Sequence, residues 1–389
     1  MNEPSDSAQP RVWVLLGKGT GGNAQMKSLA EALGWPYETK QLVYNRFSAI
    51  PNLFLGASLL GIDRNESSPL QPPWPDVVIA GSRRSAPVAR WIKARSGRTS
   101  RLVHLMHTQA PLARFDLVIT TPQYCLPRRA NVLHNTVPLN HVDPARSKSA
   151  AAEWAAEVAD LPRPFIALLA GGDSSTHRFD VESATRLGRQ ASAEARAAGG
   201  SLLISTSART PSESATALFA AIDCPAYRYA WKRNDDRNPY LAFLALADRF
   251  IVTSDSASLA TDACATGKPV CVFDLPEKPK SGWKGFIRRW GKHRGDSTMP
   301  PRTFADRLYD RLVYLGLLKP ARDFAGFHRV LRQRGLVVTF EEVASAPPRL
   351  DDLERSVEAI RRLLKEERVS SQSDRDERVP VGEPEGGKV

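Results

Sequence analysis

Short unbroken apolar runs alternate along the chain with longer stretches in which apolar residues return every third or fourth position. RVWVLL (Arg11 to Leu16), PDVVIAG (Pro75 to Gly81), SRLVHLM and FDLVITT are runs of the first kind. Bounded by turn residues, they read as strands buried on both faces, as in a parallel sheet. NAQMKSLAEALG and APVARWIKARSG are stretches of the second kind, and the first closes on Gly34, a helix stop. YETKQLVY is expected to be a further strand. Strands separated by helices imply a parallel sheet with right-handed crossovers.

The pattern changes between Pro138 and Pro164, where HVDPARSKSAAAEWAAEVADLPRP is Ala-rich, helical in character and bounded by prolines. Strand and helix then alternate again. FIALLAGG, SLLISTS and FIVTS read as strands, with helices near DVESATRLGRQASAEARAAGG, ESATALFAAI and NPYLAFLALAD; AYRYAW is a short segment of no assigned type. The expected fold class is α/β, two Rossmann-like domains facing across a cleft, and clefts between domains are preferred ligand sites. The expected boundaries are a disordered N-terminus (1–10), a first domain (11–140), a connection (141–163), a second domain (164–345), and a C-terminal helix with a disordered tail (346–389).

Composition narrows the class. The chain has 389 residues, 42% of them hydrophobic, enough for two domains with a substantial core. The formal net charge of +12 points to an anionic partner: nucleic acid, lipid head groups or a phosphorylated substrate. Much of the excess lies between Lys284 and Arg334, where thirteen Lys and Arg stand against four Asp. The four cysteines, Cys125, Cys224, Cys264 and Cys271, show no metal-ligand spacing, and a reducing compartment fits them best. MNEPSDSAQP carries no signal-peptide pattern, and no apolar run reaches the ~18 residues that span a bilayer. The nearest is the segment Ile50 to Ile62, IPNLFLGASLLGI, unusually apolar for a loop.

The chemistry gathers at strand ends. Gly17, Gly19 and Gly22 follow the first strand as G-x-G-x-x-G, with Lys18 and Asn23 beside them. Such glycines let backbone amides approach an anion at a helix N-terminus. A dinucleotide would also need an acid at the end of the second strand, and Glu38 falls near its start. Another phosphate or sugar ligand and a purely structural turn both remain open. AGGDSSTHRFD follows a later strand: Gly171 and Gly172 free the backbone, Ser174 offers a hydroxyl and His177 a donor, which suits a diphosphate, while Asp173 or Ser174 could equally cap the next helix. Thr206, Ser207 and Arg209 end a third strand of this half, and Ser254, Asp255 and Ser256 a fourth. Asp255 or Ser256 could be only a cap; Asp262, one to two turns on, could accept two ribose hydroxyls or simply be solvated. In the first half, Arg83 and Arg84 could grip a phosphate or carboxylate, and His107 could act as general base. KSGWKGFIRRWGKHRG (Lys280 to Gly295) mixes Trp, Phe and cations. Its expected partner is an anionic membrane surface rather than single-stranded nucleic acid.

Taken together, PDVVIAGSRRSAPVARWIK, HLMHTQAPLARFDLVITTPQ, LAGGDSSTHRFD, GSLLISTSARTP, NPYLAFLALADRFIVTSDSASLATDACATGKPVCVFDLP and FHRVLRQRGL resemble the elongated-mitochondria family. That family is named for a plant mitochondrial-fission factor and is common in bacteria as glycosyltransferase-like chains. The resemblance runs from Arg11 to about Glu342. It implies a GT-B-like pair of Rossmann domains, a nucleotide-diphosphate sugar held mainly by the second domain, an acceptor held by the first, and transfer without a metal or a resident cofactor. Gly171, Gly172, Ser174 and His177 would cradle the diphosphate, Ser254 to Ser256 would line the same pocket, and Asp262 would stand where such enzymes place a ribose-binding Glu. Gly21, Gly22 and Asn23 occupy the place of a Pro-Gly-His-like turn.

The expectation is a glycosyltransferase acting on a lipid-linked or cell-envelope glycan at the cytoplasmic face of the membrane. Ile50–Ile62 and Lys280–Arg294 would meet the lipid, and no nucleic acid is expected as a partner. The alternatives are a non-enzymatic adaptor that recruits a partner to a membrane on the same scaffold, and a dinucleotide-dependent oxidoreductase or epimerase.

Overall fold

The structure, a computed structural model, describes residues 9–139, 144–279, 282–294, 303–319, 322–340, 342 and 346–376. Residues 1–8, 140–143, 280–281, 295–302, 320–321, 341, 343–345 and 377–389, on which parts of the expectations above fall, lie outside these.

Two parallel sheets organise the chain. The first joins β1 (Val12–Leu16), β2 (Tyr37–Gln41), β3 (Val77–Ala80), β4 (Arg101–Leu105), β5 (Leu117–Thr120) and β6 (Val132–His134) in the order β2-β1-β3-β4-β5-β6. The second joins β7 (Phe165–Leu169), β8 (Ser201–Ser205), β9 (Ala226–Tyr229), β10 (Arg249–Thr253) and β11 (Val270–Phe273) in the order β11-β10-β7-β8-β9. The two Rossmann-like units expected from the pattern are present. Central strands such as VWVLL and FIALL are buried at every position because helices cover both faces. β2, YETKQ, is polar because it is an edge. AYRYAW supplies the other sheet's edge strand.

Helices α1 (Thr20–Leu33), α2 (Asn52–Leu55) and α3 (Ala86–Arg95) belong to the first half. The Ala-rich connection forms α4 (Pro144–Trp154), which is no loose linker. Trp154 packs edge-on to Tyr227 at 5.6 Å and Phe243 at 6.4 Å, in the second half. That half holds α5 (Val181–Ala197), α6 (Ser212–Ala220), α7 (Tyr240–Leu246) and α8 (Ala257–Ala265).

The last four helices revise the expected boundaries. They are α9 (Gly282–Arg294), α10 (Phe304–Tyr314), α11 (Phe324–Gln333) and α12 (Asp352–Asp376). Ile287 of α9 and Tyr309 and Val313 of α10 join the apolar core of the first sheet, with Trp13, Leu15 and Val78. The second domain therefore does not run unbroken to 345: the chain crosses to the first half, returns as α11 to the core with Phe250 and Val270, and crosses again as α12. Val357 and Ile360 of α12 pack with Met26 and Leu29 of α1. α12 also runs seven residues into SSQSDRDERVPVGEPEGGKV, the tail from Ser370 expected to be disordered. Its start is fastened to the inter-domain crossing: the Asp352 carboxylate accepts the amides of Thr136 (2.8 Å) and Val137 (3.1 Å), and Asn135 Nδ2 donates to Ser356 Oγ (2.9 Å). These ties fix how the halves meet.

Candidate functional site

In each sheet the strand order reverses once, between β1 and β3 in the first and between β7 and β10 in the second. Ligands of doubly wound sheets bind outside the carboxyl ends of strands at such a point. The two reversal points here are built differently.

The first opens into a cavity of about 870 Å3. Gly17, Lys18, Gly19, Gly22 and Asn23 line it from the β1–α1 turn, and Arg83 and Arg84 from the β3–α3 turn; His107, beyond β4, lines it too. All eight are residues singled out in the sequence, and the fold brings them together. The second half contributes Ser175, and the later segments Ile287, Lys319 and Arg322. Five cations thus line the cavity, and no Asp or Glu does among the described residues.

Each turn is fixed for a reason. Asn23 makes a reciprocal pair with Gly17, Nδ2 donating to the carbonyl (2.7 Å) and Oδ1 accepting the amide (3.1 Å). A Cβ on Gly17 would lie 2.9 Å from the Tyr44 ring, whereas one on Gly19 would meet nothing within 4 Å. No side chain caps α1 and no acid sits in its first turn, so its free amides and positive dipole end face the cavity. Arg83 is only partly available: its guanidinium donates to Ile50 O (3.0 Å) and Ser48 O, and burial, helped by Arg84, lowers its pKa. Arg84 is exposed and stands 5.6 Å from the Tyr44 ring centre. Arg322 stands 5.5 Å from that of Tyr124.

His107 is held differently from the base that the sequence suggested. Its Nδ1 accepts the Gln109 amide at 2.7 Å, which fixes the proton on Nε2. Nε2 is buried and has no partner. Burial first, then the charges of His104, Lys319 and Arg322, pull the imidazole pKa down to about 3. At neutral pH this ring is a neutral donor with its basic lone pair taken. The general-base expectation is therefore corrected in favour of a donor, because a backbone amide occupies the only nitrogen that could accept. Met106 (φ 66) and Gln109 (φ 49) hold the ring from either side in left-handed conformations, at a cost of order 1 kcal/mol each.

The second reversal point is closed on itself. Gly171 N donates to Thr253 Oγ1 (2.8 Å), and Gly172 N to Asp255 Oδ2 (3.0 Å). Thr253 Oγ1 donates to Asp255 Oδ1 (2.7 Å), and Arg209 Nη2 reaches Oδ2 at 2.8 Å. The Asp255 side chain is 0% exposed. Ser207 Oγ donates to Gly171 O, and Thr206 Oγ1 accepts the Trp231 amide. Ser254 Oγ accepts the Leu275 amide, and Ser256 caps α8 through the Leu259 amide. Ser174 Oγ accepts the amides of Thr176 and His177, and His177 is buried with Phe324 edge-on at 5.7 Å. Asp262 takes the Tyr240 hydroxyl at 2.7 Å rather than standing in solvent. The two glycine amides expected to cradle a diphosphate therefore already have acceptors. The glycines themselves answer to crowding, since a Cβ on Gly171 would lie 2.3 Å from Asp255 and one on Gly172 2.1 Å from the Arg209 carbonyl.

Lys319, Arg322 and Tyr44 were missed in the sequence, whereas Ser175 belongs to the AGGDSSTHRFD stretch whose hydroxyls were set against a diphosphate. A signal existed for the first two, which belong to the cation-rich stretch between Lys284 and Arg334, beyond the Lys280–Arg294 segment expected at a membrane. Of the two expected lipid-facing segments, the first exposes Leu53 and Phe54 (78% for Phe54) and buries Leu55, Leu59 and Ile62. In the second, Ile287 is buried, Trp290 lies 5.5 Å from Tyr309, and Phe286 is exposed. No helix among the described residues is long and apolar enough to cross a membrane. No group of three or more His, Cys, Asp or Glu among them could hold a metal ion.

The model of the family described as Mitochondrial fission ELM1 matches residues 20–290. Mitochondrial fission protein ELM1 of Arabidopsis thaliana is 30% identical over 240 residues, covering 56% of this chain and 56% of the plant protein, so the chain spans just over half of that relative's length. An uncharacterized protein of Rickettsia prowazekii (strain Madrid E) is 25% identical over 309 residues, covering 72% of this chain and 87% of its own. Among solved structures, a glycosyltransferase from Rickettsia africae ESF-5 aligns with a TM-score of 0.44 at 11% identity, over 92% of this chain and 99% of that one.

Proposed function

The chain belongs to the mitochondrial fission ELM1 family, and from that premise we propose that it is a glycosyltransferase. It moves a sugar from a nucleotide-diphosphate sugar to a lipid-linked or envelope glycan acceptor, without a metal, at the cytoplasmic face of a membrane. The observation that carries this reading is the cavity at the first reversal point, with five cations, an uncapped helix N-terminus and no carboxylate among its described lining residues. Such a lining takes a polyanion and stabilises charge that grows on a departing diphosphate.

In this mechanism the acceptor hydroxyl attacks the anomeric carbon. The bond from that carbon to the β-phosphate oxygen breaks, and its electron pair stays on the diphosphate. Lys319 and Arg322 hold the diphosphate, with Ser175 of the second half beside it. His107 donates its Nε2 proton as a hydrogen bond to the developing oxyanion. The acceptor proton goes to the departing diphosphate, because the imidazole lone pair is occupied. Ile50–Ile62 and the exposed Phe286 of α9 are the contacts with an anionic membrane.

A second reading, a non-enzymatic adaptor on the same scaffold, draws on the self-satisfied crevice around Asp255. Thermal melting with UDP, GDP and ADP and their sugars separates the two. On the transferase reading one nucleotide stabilises the protein by about 2.7 kcal/mol at a hundred times its Kd, and Arg322→Gln weakens that nucleotide about tenfold. No shift with any nucleotide leaves the adaptor.

A further inference from the structure

We propose that the wall formed by Lys18, Tyr44, Ser82 and Arg84 binds a second phosphate, one carried by a lipid. That this lipid is the acceptor rests on the transferase reading; the wall and its ligand do not. The cations of the cavity fall into two groups. Lys319 and Arg322 act on His107, since their charges both depress its pKa. Lys18 and Arg84 lie on the other two turns, with Arg84 over the Tyr44 ring. Arg83 stays out of this second group because its guanidinium is committed to the carbonyls of Ser48 and Ile50. Lys18 and Arg84 have no ion-pair partner among the described residues, and the cavity lining there offers no carboxylate. Two cations with hydroxyls beside them and no counter-charge suit a phosphate.

The rim says what carries the phosphate. Arg83 is part of the cavity wall and also the anchor of the segment next to it. Besides its two carbonyl partners, its own carbonyl accepts Asn52 Nδ2 at 2.7 Å, and Asn52 also reaches Thr108 O at 2.9 Å. The segment so fastened exposes Phe47, Leu53, Phe54 and Leu60, at 39, 46, 78 and 51%. Contact with hydrocarbon would take this remaining apolar surface out of water. An apolar rim fixed to a cationic wall is complementary to an amphiphile, phosphate inward and hydrocarbon along the rim.

The test is calorimetry on the full chain with dihexanoyl phosphatidic acid below its micelle concentration and, separately, inorganic phosphate, each with UDP saturating. Phosphatidic acid should bind one to one, at least tenfold tighter than inorganic phosphate. Lys18→Gln with Arg84→Gln should weaken both phosphates at least tenfold, well beyond any loss for UDP, with a far-UV circular dichroism spectrum like the wild type's as the sign that the variant is folded. Phe54→Ser should weaken only phosphatidic acid. Displacement of phosphatidic acid by UDP, or wild-type binding by the double variant, overturns the second site. Equal affinity for the two phosphates overturns the lipid carrier. If none of UDP, GDP and ADP binds while phosphatidic acid does, the transferase reading fails and the lipid-phosphate site stands.

Discussion

The two halves carry the same device and finish it in opposite ways. Both are parallel sheets with one reversal of strand order, and both place a glycine-rich turn there. In the first half the turn is kept open by Tyr44 and by the Asn23–Gly17 pair, and cations gather around it. In the second, Asp255 turns inward, takes the Gly172 amide and the Thr253 hydroxyl, and meets Arg209. A carboxylate then stands beside the amides that an anion would use. The same local grammar yields a crevice that attracts anions and one that supplies its own.

The largest effect should come from testing why the glycines are there. In the closed half an added Cβ at Gly172 would sit 2.1 Å from a backbone carbonyl, which only movement of the Arg209 turn could relieve. Gly172→Ala should cost about 3 kcal/mol or more, a fall of roughly 6–12 °C in Tm. Gly19→Ala, with nothing within 4 Å, should stay within about 0.5 kcal/mol. Equal melting temperatures for the two variants would erase the distinction between crowded and open turns.

Asp255 is the next test. Asp255→Ala leaves the Gly172 amide and the Thr253 hydroxyl without their acceptor and Arg209 without its partner. Because Arg209 is 42% exposed and can recover water, the expected loss is about 2–3 kcal/mol rather than the full penalty of a broken buried pair. Urea denaturation measures it. A loss below about 0.5 kcal/mol would mean that Asp255 does not close the second crevice.

Much of this was legible in the chain, and the exceptions have physical causes. Runs such as VWVLL announced central strands because burial on both faces leaves no polar position. The three-residue β6 and the edge strand β9 carry too little pattern to announce themselves. The return of α9 and α10 to the first sheet was invisible because periodicity shows that Ile287 and Tyr309 share apolar faces, not which core they join. The strand-end rule rightly grouped Gly17, Arg84 and His107, yet it spoke equally for Gly171 and Asp255. Whether a side chain at a strand end turns to solvent or back onto its own backbone depends on neighbours far away in sequence, as Tyr240 is from Asp262.

The smallest effect separates the halves by their histidines. His107 lies in the open half with a pKa of about 3, and His328 in the closed half with one of about 4, its Nε2 donating to Ser254 O at 2.8 Å. Burial is the first cause for both, and both start from 6.5. The unfolded chain therefore takes up protons below about pH 6.5 that the folded chain refuses, and stability falls from there down to the folded pKa values. At pH 5.5 each ring should cost about 1 kcal/mol. An anion in the cavity would offset the charges of Lys319 and Arg322 at His107 and raise its pKa, while His328 is not among the residues that line this cavity. Saturating inorganic pyrophosphate should therefore flatten the pH dependence of unfolding in the wild type and in His328→Gln, but not in His107→Gln. If all three profiles flatten alike, the anion is acting away from His107 and the cavity is not its site.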